Sequence, residues 1–353
     1  MDPNALRGWL DERVATHEFR GVALIWRNGT AAFSYAGGIA HRGHGVPVTM
    51  QSRFAVASIT KMATAVTVLR LVDRGLVRLQ DPLVEILPLE HRPAALTRRH
   101  NLHHLLSHTS GLANYHDDAD PTWASFTSGW DRIPTYHIRR PADMLPLFAD
   151  RPAVRQPGIK FEYSDANFIL VGLVIEAVTG RPWSDVAAEE VFEPAGMVDT
   201  AVEAIDQDPA RLATGYLVDD GPPDHWRANY FSVPANGMPD GGMITTAADL
   251  ARFIDALLEG RLLSPPLLAA MTRPQGPPST DVEQYGYGCE LVVENGVVTA
   301  LGHGGGDPGV STTVAHFPAA ATTLVILCNQ DRGNWAAVLQ FCAALGLPEP
   351  RGF

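Results

Sequence analysis

Along this chain the spacing of apolar residues alternates between strand-like runs and helical periods, and the alternation outlines an architecture. Residues Asn4 to Thr16 mix apolar and charged positions at helical spacing and predict a first amphipathic helix. Gly21 to Trp26 and Ala31 to Tyr35 are short apolar runs joined through Asn28-Gly29, a strong hairpin signal. After Ser58, the residues Met62, Ala65, Val66, Leu69 and Val72 recur at the spacing of a core-facing helix, which should stop near Arg74-Gly75. From Leu76 to about Asp199 the pattern reads as mostly helical, broken by Asp81-Pro82 and Gln156-Pro157-Gly158. Within it, Phe168 to Val178 is apolar on nearly every face and should lie centrally, capped by Ser164 or Asp165 and ended by Thr179-Gly180-Arg181-Pro182. Asp240 to Leu258 reads as another helix, entered through Gly241-Gly242. Strands then return: Leu291 to Val293 and Val297 to Leu301 flank Asn295-Gly296, Val310 to Phe317 and Thr322 to Cys328 follow, and Asn334 to Leu345 closes as a helix.

Strands at both ends with helices between predict a mixed fold, α/β plus all-α. The expected division is an α/β domain from residues 1–75 and 200–353, interrupted by a helical domain over 76–199. A length of 353 residues and 46% hydrophobic content suit a globular protein of that size. The net charge of −12 argues against nucleic acid or an anionic membrane as partner. Residues 1–20 carry seven charged side chains and no apolar core, so no signal peptide is expected, nor does any later stretch look long and apolar enough to span a bilayer. Cys289, Cys328 and Cys342 are too widely spaced for a disulfide framework or a metal motif. A cytoplasmic location follows as the expectation.

Candidate chemistry centres on Ser58 and Lys61. Three residues apart on a helix, their side chains share a face at the end where free N–H groups favour negative charge. A Ser-x-x-Lys taken alone is equally a helix cap followed by a solvated lysine. The chain, however, has only two lysines, Lys61 and Lys160, against twenty-five arginines, and Lys61 is flanked by Met62 and Ala63. A desolvated lysine can lose its proton and act as a base, which arginine cannot. Three competing signals are weaker. His100, His104 and His108 are four apart, as metal ligands on a helix would be, but lack the glutamate of a HExxH site, and capping or core hydrogen bonds fit them better. Gly304-x-Gly306-x-x-Gly309 fits a dinucleotide fingerprint, yet it contains Pro308 and precedes a strand. His303-Gly304-Gly305-Gly306 looks like a lipase oxyanion loop, but no Gly-x-Ser-x-Gly elbow accompanies it. The glycine run is expected where backbone approaches a ligand closely.

Read together, Ser58-Ile59-Thr60-Lys61, the run from Leu102 to Leu112, Phe161-Glu162-Tyr163-Ser164-Asp165 and Gly302-His303-Gly304-Gly305 occur in one order. This resembles the serine β-lactamase and penicillin-binding-protein superfamily, closest to its class C-like branch with D-aminopeptidases, esterases and acyltransferases. Glu193 to Thr200 and Asp240 to Met243 support the likeness. The resemblance implies an antiparallel sheet flanked by helices, an inserted helical domain, and an active site at their interface. It implies Ser58 as the acylated nucleophile, Lys61 as its hydrogen-bonded partner and Tyr163 as proton shuttle, with positive charge nearby to favour the phenolate. It implies an oxyanion hole from the N–H groups of Ser58 and Gly306, beside His303, Gly304 and Gly305, with no cofactor and no metal.

Two positions depart from the family pattern. Asp165 stands where an asparagine would donate to a substrate carbonyl, and Asn167 is one turn away as a substitute. His303 replaces a lysine that would bind a substrate carboxylate, supplying only a partial charge at neutral pH. Both departures favour a neutral or amine-bearing ester or amide of a small molecule or short peptide over a penicillin. The expected activity is therefore a serine hydrolase. An acyltransferase, a true β-lactamase and a silent ligand-binding homologue are the alternatives. Tyr115, Trp123, Trp130, Trp226 and Tyr230 are candidates to wall the pocket.

Overall fold

The apolar runs from the two ends of the chain pair with each other. In the computed structural model, which describes residues 2–116, 127–218, 226–280 and 283–351, strands β1 (Gly21–Arg27) and β2 (Thr30–Gly37) form the first hairpin. Asn28 and Gly29 both take positive φ, 51° and 72°, as a two-residue hairpin turn requires. The C-terminal part supplies β3 (Glu283–Tyr285), β4 (Glu290–Glu294), β5 (Val297–Asp307), β6 (Val310–Phe317) and β7 (Thr322–Cys328). All neighbours are antiparallel, in the order β2-β1-β7-β6-β5-β4-β3, so β1 closes onto the last strand with Leu24 opposite Val325.

Side-chain alternation sends this sheet two ways. Val22, Leu24, Val314, Val325 and Leu327 join one core; Ala23, Ile25, Ala315, Leu324 and Ile326 join the other. Both faces are covered, which is why β7 is apolar at nearly every position. The smaller core is closed by helix α1 (Pro3–Ala15) and the terminal helix Asn334–Leu345, through Leu6, Leu10, Val338 and Phe341. The larger core contains α2 (Thr60–Asp73), the short α3 (Leu102–Leu106), α4 (Asp165–Thr179) and α5 (Ala247–Leu258). All three cysteines are free and buried. No helix among the described residues is long and apolar enough to cross a membrane.

Helix α4 matches its all-round apolar sequence: Asp165 to Ile175 are all buried, and Gly180 ends it with φ of 69°. Ser164 holds the cap position but makes no capping bond through its side chain. Two expectations need correcting. The stretch from Leu76 to Asp199 is far less helical than its pattern suggested. Among its described residues, apart from α4 and one continuous helical segment over residues 183–195, whose middle winds as a π-helix, it consists of single-turn helices and 3₁₀ turns such as Pro141–Leu147, where prolines interrupt the backbone ladder. Helix α5 starts at Ala247 under a Thr246 cap, not at Asp240. Residues Ile244–Thr245 instead pair as a short strand with Phe54–Ala55.

Candidate active site

Ser58 stands in a 3₁₀ turn, Ala57–Ile59, that leads into α2. The preceding Ala57 has φ of 47°, a left-handed conformation costing an alanine on the order of 1 kcal/mol. The turn is clamped around that strain: Val56 N–H donates to Met243 O (3.0 Å), and Thr312 Oγ1 donates to Val56 O (3.1 Å). A Cβ on Gly305 would lie 2.3 Å from Val56 O. At Gly305, then, the glycine run admits the chain's own backbone, whereas the sequence suggested approach to a ligand. Through that contact the middle of β5 is pressed against the Ser58 turn.

Lys61, one helical turn on, is fully buried and has three acceptors for its three N–H donors. These are Ser58 Oγ at 2.8 Å, Asp165 Oδ1 at 2.6 Å and Asp240 O at 2.8 Å. Asp240 is delivered by a loop that α2 and α4 hold from both sides. Thr64 Oγ1 donates to Pro239 O (2.7 Å) and Thr60 Oγ1 accepts from Met243 N–H (3.0 Å). Gly172 in α4 has room for Pro239 only because it lacks a side chain; a Cβ there would lie 2.2 Å from Pro239 Cγ. Burial alone would raise the Asp165 carboxyl, but Lys61 beside it holds it down to about 2. Asp165 is thus the counter-charge of Lys61, with His116 Nε2 3.6 Å from its other oxygen. Asn167, the suggested substitute donor, faces away from Ser58: its amide meets Ser110 Oγ (2.6 Å) and His108 Nδ1 (3.2 Å).

Tyr163 and Ser58 line the same pocket and the same adjoining cleft. Burial, then Asp165 and Glu290, push its hydroxyl well above the ordinary tyrosine range. This reverses the expectation of an environment that favours phenolate: Lys61 lies 5.0 Å from the ring centroid, but its charge is taken up by Asp165. The Tyr163 ring rests on His108 at 4.3 Å between centroids. His108 itself has φ of 52°, and its Nδ1 accepts from Ser164 N–H (3.1 Å). It lies beyond the end of α3, so His100, His104 and His108 do not share a helix face. Burial and Lys61 keep its ring neutral. Among the described residues no group of three or more His, Cys, Asp or Glu side chains could hold a metal ion.

On the far side of Tyr163, His303 is buried on β5. Its Nδ1 donates to Gly304 O (2.6 Å) and its Nε2 accepts from Tyr285 Oη (3.0 Å), partners that suit the neutral ring. Burial, then Lys61, push His303 down to about 3, so it does not supply even the partial charge expected at neutral pH. Glu290 accepts from Gly304 N–H (2.7 Å) and burial pushes its carboxyl up to about 8. Gly304, Gly305 and Gly306 pair with Thr313, Thr312 and Ser311 along β6.

Ser58, Tyr115, His116, Tyr163, Asp165, Asp240, Gly241, Gly306 and Asp307 line one pocket of about 470 Å³. The structure therefore gathers Ser58, Tyr163, Asp165 and Gly306 at one opening, with Lys61 beneath it. His303, Gly304 and Gly305 line an adjoining cleft that also reaches Ser58 and Tyr163. Tyr115, Asp240 and Asp307 were not singled out for chemistry in the sequence, where no spacing relates them to Ser58. Burial, then Asp240 and Asp165, push the Asp307 carboxyl up to about 8; Asp240 is pushed up to about 6. Of the five aromatic wall candidates, Tyr115, Trp130 and Tyr230 line a neighbouring chamber. Trp226 opens a short strand and lies against the Arg20 and Arg42 guanidinium groups, and Trp123 lies outside the described residues.

Comparison with known proteins adds four findings. The family model described as Beta-lactamase matches residues 6–343. Penicillin-binding protein 4 of Amycolatopsis lactamdurans is 28% identical over 330 residues, covering 89% of this chain and 81% of that protein. Among solved structures, a penicillin binding protein from Bacillus halodurans superimposes with a TM-score of 0.87 at 32% identity, covering 94% of this chain and 99% of that one. D-amino acid amidase from Ochrobactrum anthropi, complexed with D-phenylalanine, gives 0.78 at 26% identity over 97% and 98% of the two chains.

Proposed function

The chain belongs to the beta-lactamase family, and from that premise we propose that it is a serine hydrolase cleaving an ester or amide through an acyl-Ser58 intermediate. The observation that carries this reading is the Ser58 hydroxyl, 2.8 Å from the fully buried Lys61 ammonium in a pocket that Tyr163 also lines. With Tyr163 held as the phenol, a free phenolate base is disfavoured at rest. The proton instead moves in relay. Ser58 Oγ attacks the substrate carbonyl carbon, its proton passes to Tyr163 Oη, and the proton already on Tyr163 passes to the leaving oxygen or nitrogen as its bond to carbon breaks. Lys61 stays charged and stabilises the developing negative charge on Ser58 Oγ. Water then repeats the relay in reverse to release the acid.

In the same reading the N–H groups of Ser58 and Gly306, both at the pocket mouth, form the oxyanion hole, and His303, Gly304 and Gly305 form the strand along which substrate lies. Residues 76–199 act as the helical insertion and residues 1–75 with 200–353 as the α/β part, with Ser58 at their junction. An amide of a D-amino acid is one substrate form consistent with the D-amino acid amidase likeness.

The test is intact-protein mass after mixing with an activated ester, a D-amino acid amide and a penicillin in separate tubes, with Ser58→Ala as control. A mass increase equal to the acyl group, absent in Ser58→Ala, is the expected result. Equal turnover by Ser58→Ala would eliminate the reading. If an added amine or alcohol draws off the acyl group faster than water does, the enzyme is an acyltransferase instead.

A further inference from the structure

Beside the Ser58 pocket lies a second space, a narrow chamber. Tyr115, Asp240, Gly241 and Asp307 line both spaces, so the chamber opens directly onto the Ser58 pocket. Its walls are mainly apolar, with Trp130, Met144, Ile205, Leu212, Tyr230 and Val233 among them. The polar ends of three ring residues are already engaged. Trp130 Nε1 donates to Ser232 O (3.0 Å), Tyr115 Oη donates to Asp240 Oδ2 (2.7 Å), and Tyr230 Oη meets Thr214 Oγ1 (3.2 Å). What they leave for an occupant is apolar surface.

Resting on the acyl-Ser58 reading, we infer that this chamber is the subsite for the acyl portion of the substrate and takes a bulky, non-anionic apolar group. The position of Tyr163 decides which half of the substrate enters. In the relay the leaving atom must come within hydrogen-bond reach of Tyr163 Oη. Tyr163 lines the Ser58 pocket and the two clefts toward Glu290, but it does not line the chamber. The leaving group therefore points toward the Glu290 side, and the group on the other side of the carbonyl points into the chamber. Charge restricts that group further. Three carboxyl side chains, Asp165, Asp240 and Asp307, surround the junction; the basic groups there are Lys61, whose donors are all taken, and His116, whose Nε2 already faces Asp165 at 3.6 Å. An acyl group ending in a carboxylate would add a fourth acid there without gaining a cationic partner.

The experiment compares 4-nitrophenyl esters of acetic acid, 4-phenylbutyric acid and glutaric acid (its free carboxylate intact), and then acetate esters of small and large phenols. For the unmodified enzyme, kcat/KM for phenylbutyrate should exceed that for acetate at least tenfold, roughly what one buried methylene or more gives in an apolar pocket. Glutarate should fall below acetate. Varying the phenol at constant acetyl should matter much less. Val233→Trp, which fills the chamber from a half-buried wall position, should reduce the phenylbutyrate-to-acetate ratio about tenfold. Trp130→Ala, which enlarges the chamber, should shift the preferred acyl chain to a longer one. A ratio near one in the unmodified enzyme, preference governed by the phenol, or a glutarate preference would overturn the inference while leaving the hydrolase reading in place. Absence of any Ser58 adduct would sink both.

Discussion

Two buried polar clusters flank Tyr163, and they answer the same problem in opposite ways. On one side the buried Lys61 side chain has Asp165 2.6 Å away as its counter-charge, and two more oxygens complete its shell. On the other, buried His303 and half-buried Glu290 have no fixed opposite charge, and both are pushed toward neutrality, to about 3 and about 8. Both clusters are largely enclosed; what differs most is the presence of a matched counter-charge. The comparison teaches that a family position occupied by a cation does not stay cationic when the residue changes to one that can discharge. It also gives a physical reason for Asp165: it balances Lys61, a role an asparagine would not fill.

The largest break in the comparison is Lys61→Met, which leaves the Asp165 carboxylate buried and unpaired. A stability loss of about 3–5 kcal/mol is expected, together with loss of ester turnover by a factor of at least ~10³. Denaturant melts and steady-state kinetics measure both, and retention of wild-type stability would remove Asp165 as obligatory counter-charge. Next in size, Tyr163→Phe removes the relay group between the clusters while preserving the ring against His108. It should lower kcat by about 10²–10⁴ and shift the melting temperature little. A variant with near-normal kcat would assign proton transfer to Lys61 alone.

The smallest effect sharpens the neutral side. Because the folded-state Glu290 carboxyl lies above its unfolded value, the native state holds its proton over a wider pH range than the unfolded chain does. Its contribution to stability is therefore fully present below about pH 4.5 and is lost as pH rises toward about 8. Glu290→Gln retains an acceptor for Gly304 N–H and carries no such loss. The stability of the variant relative to the unmodified enzyme should rise between pH 5 and pH 9, by on the order of 1 kcal/mol or more. Parallel melts at the two pH values measure it, and a difference that stays constant between them would mean that Glu290 is already ionised at pH 5.

Sequence legibility followed the same line between local and non-local causes. The hairpin turns at Asn28-Gly29 and Asn295-Gly296, α4 and the terminal helix all rest on short-range spacing and lie where their pattern put them; the C-terminal strands do so in part, since β5 runs on from Leu301 to Asp307 and β3 had no expected counterpart. The Ser58–Lys61 pair was legible for that reason too, being one helical turn apart. The region from Leu76 to Asp199 was misjudged because 3₁₀ turns and short helices share the apolar spacing of a long helix, and only packing decides between them. The start of α5 was misjudged because Gly241 and Gly242 serve the Asp240 loop rather than a helix end.

By itself, then, the chain determined which residues form the sheet, which helix is buried on all sides, and which serine and lysine stand together, since each depends on residues within a turn or a hairpin of one another. Tertiary structure decided the rest. It brought Asp165, 104 positions away, and the Asp240 carbonyl, 179 positions away, onto Lys61. It strained Ala57, discharged His303, kept the proton on Tyr163 and opened an apolar chamber beside Ser58. Charge state is set by burial and by the distance to opposite charge, and neither quantity exists until the chain has folded.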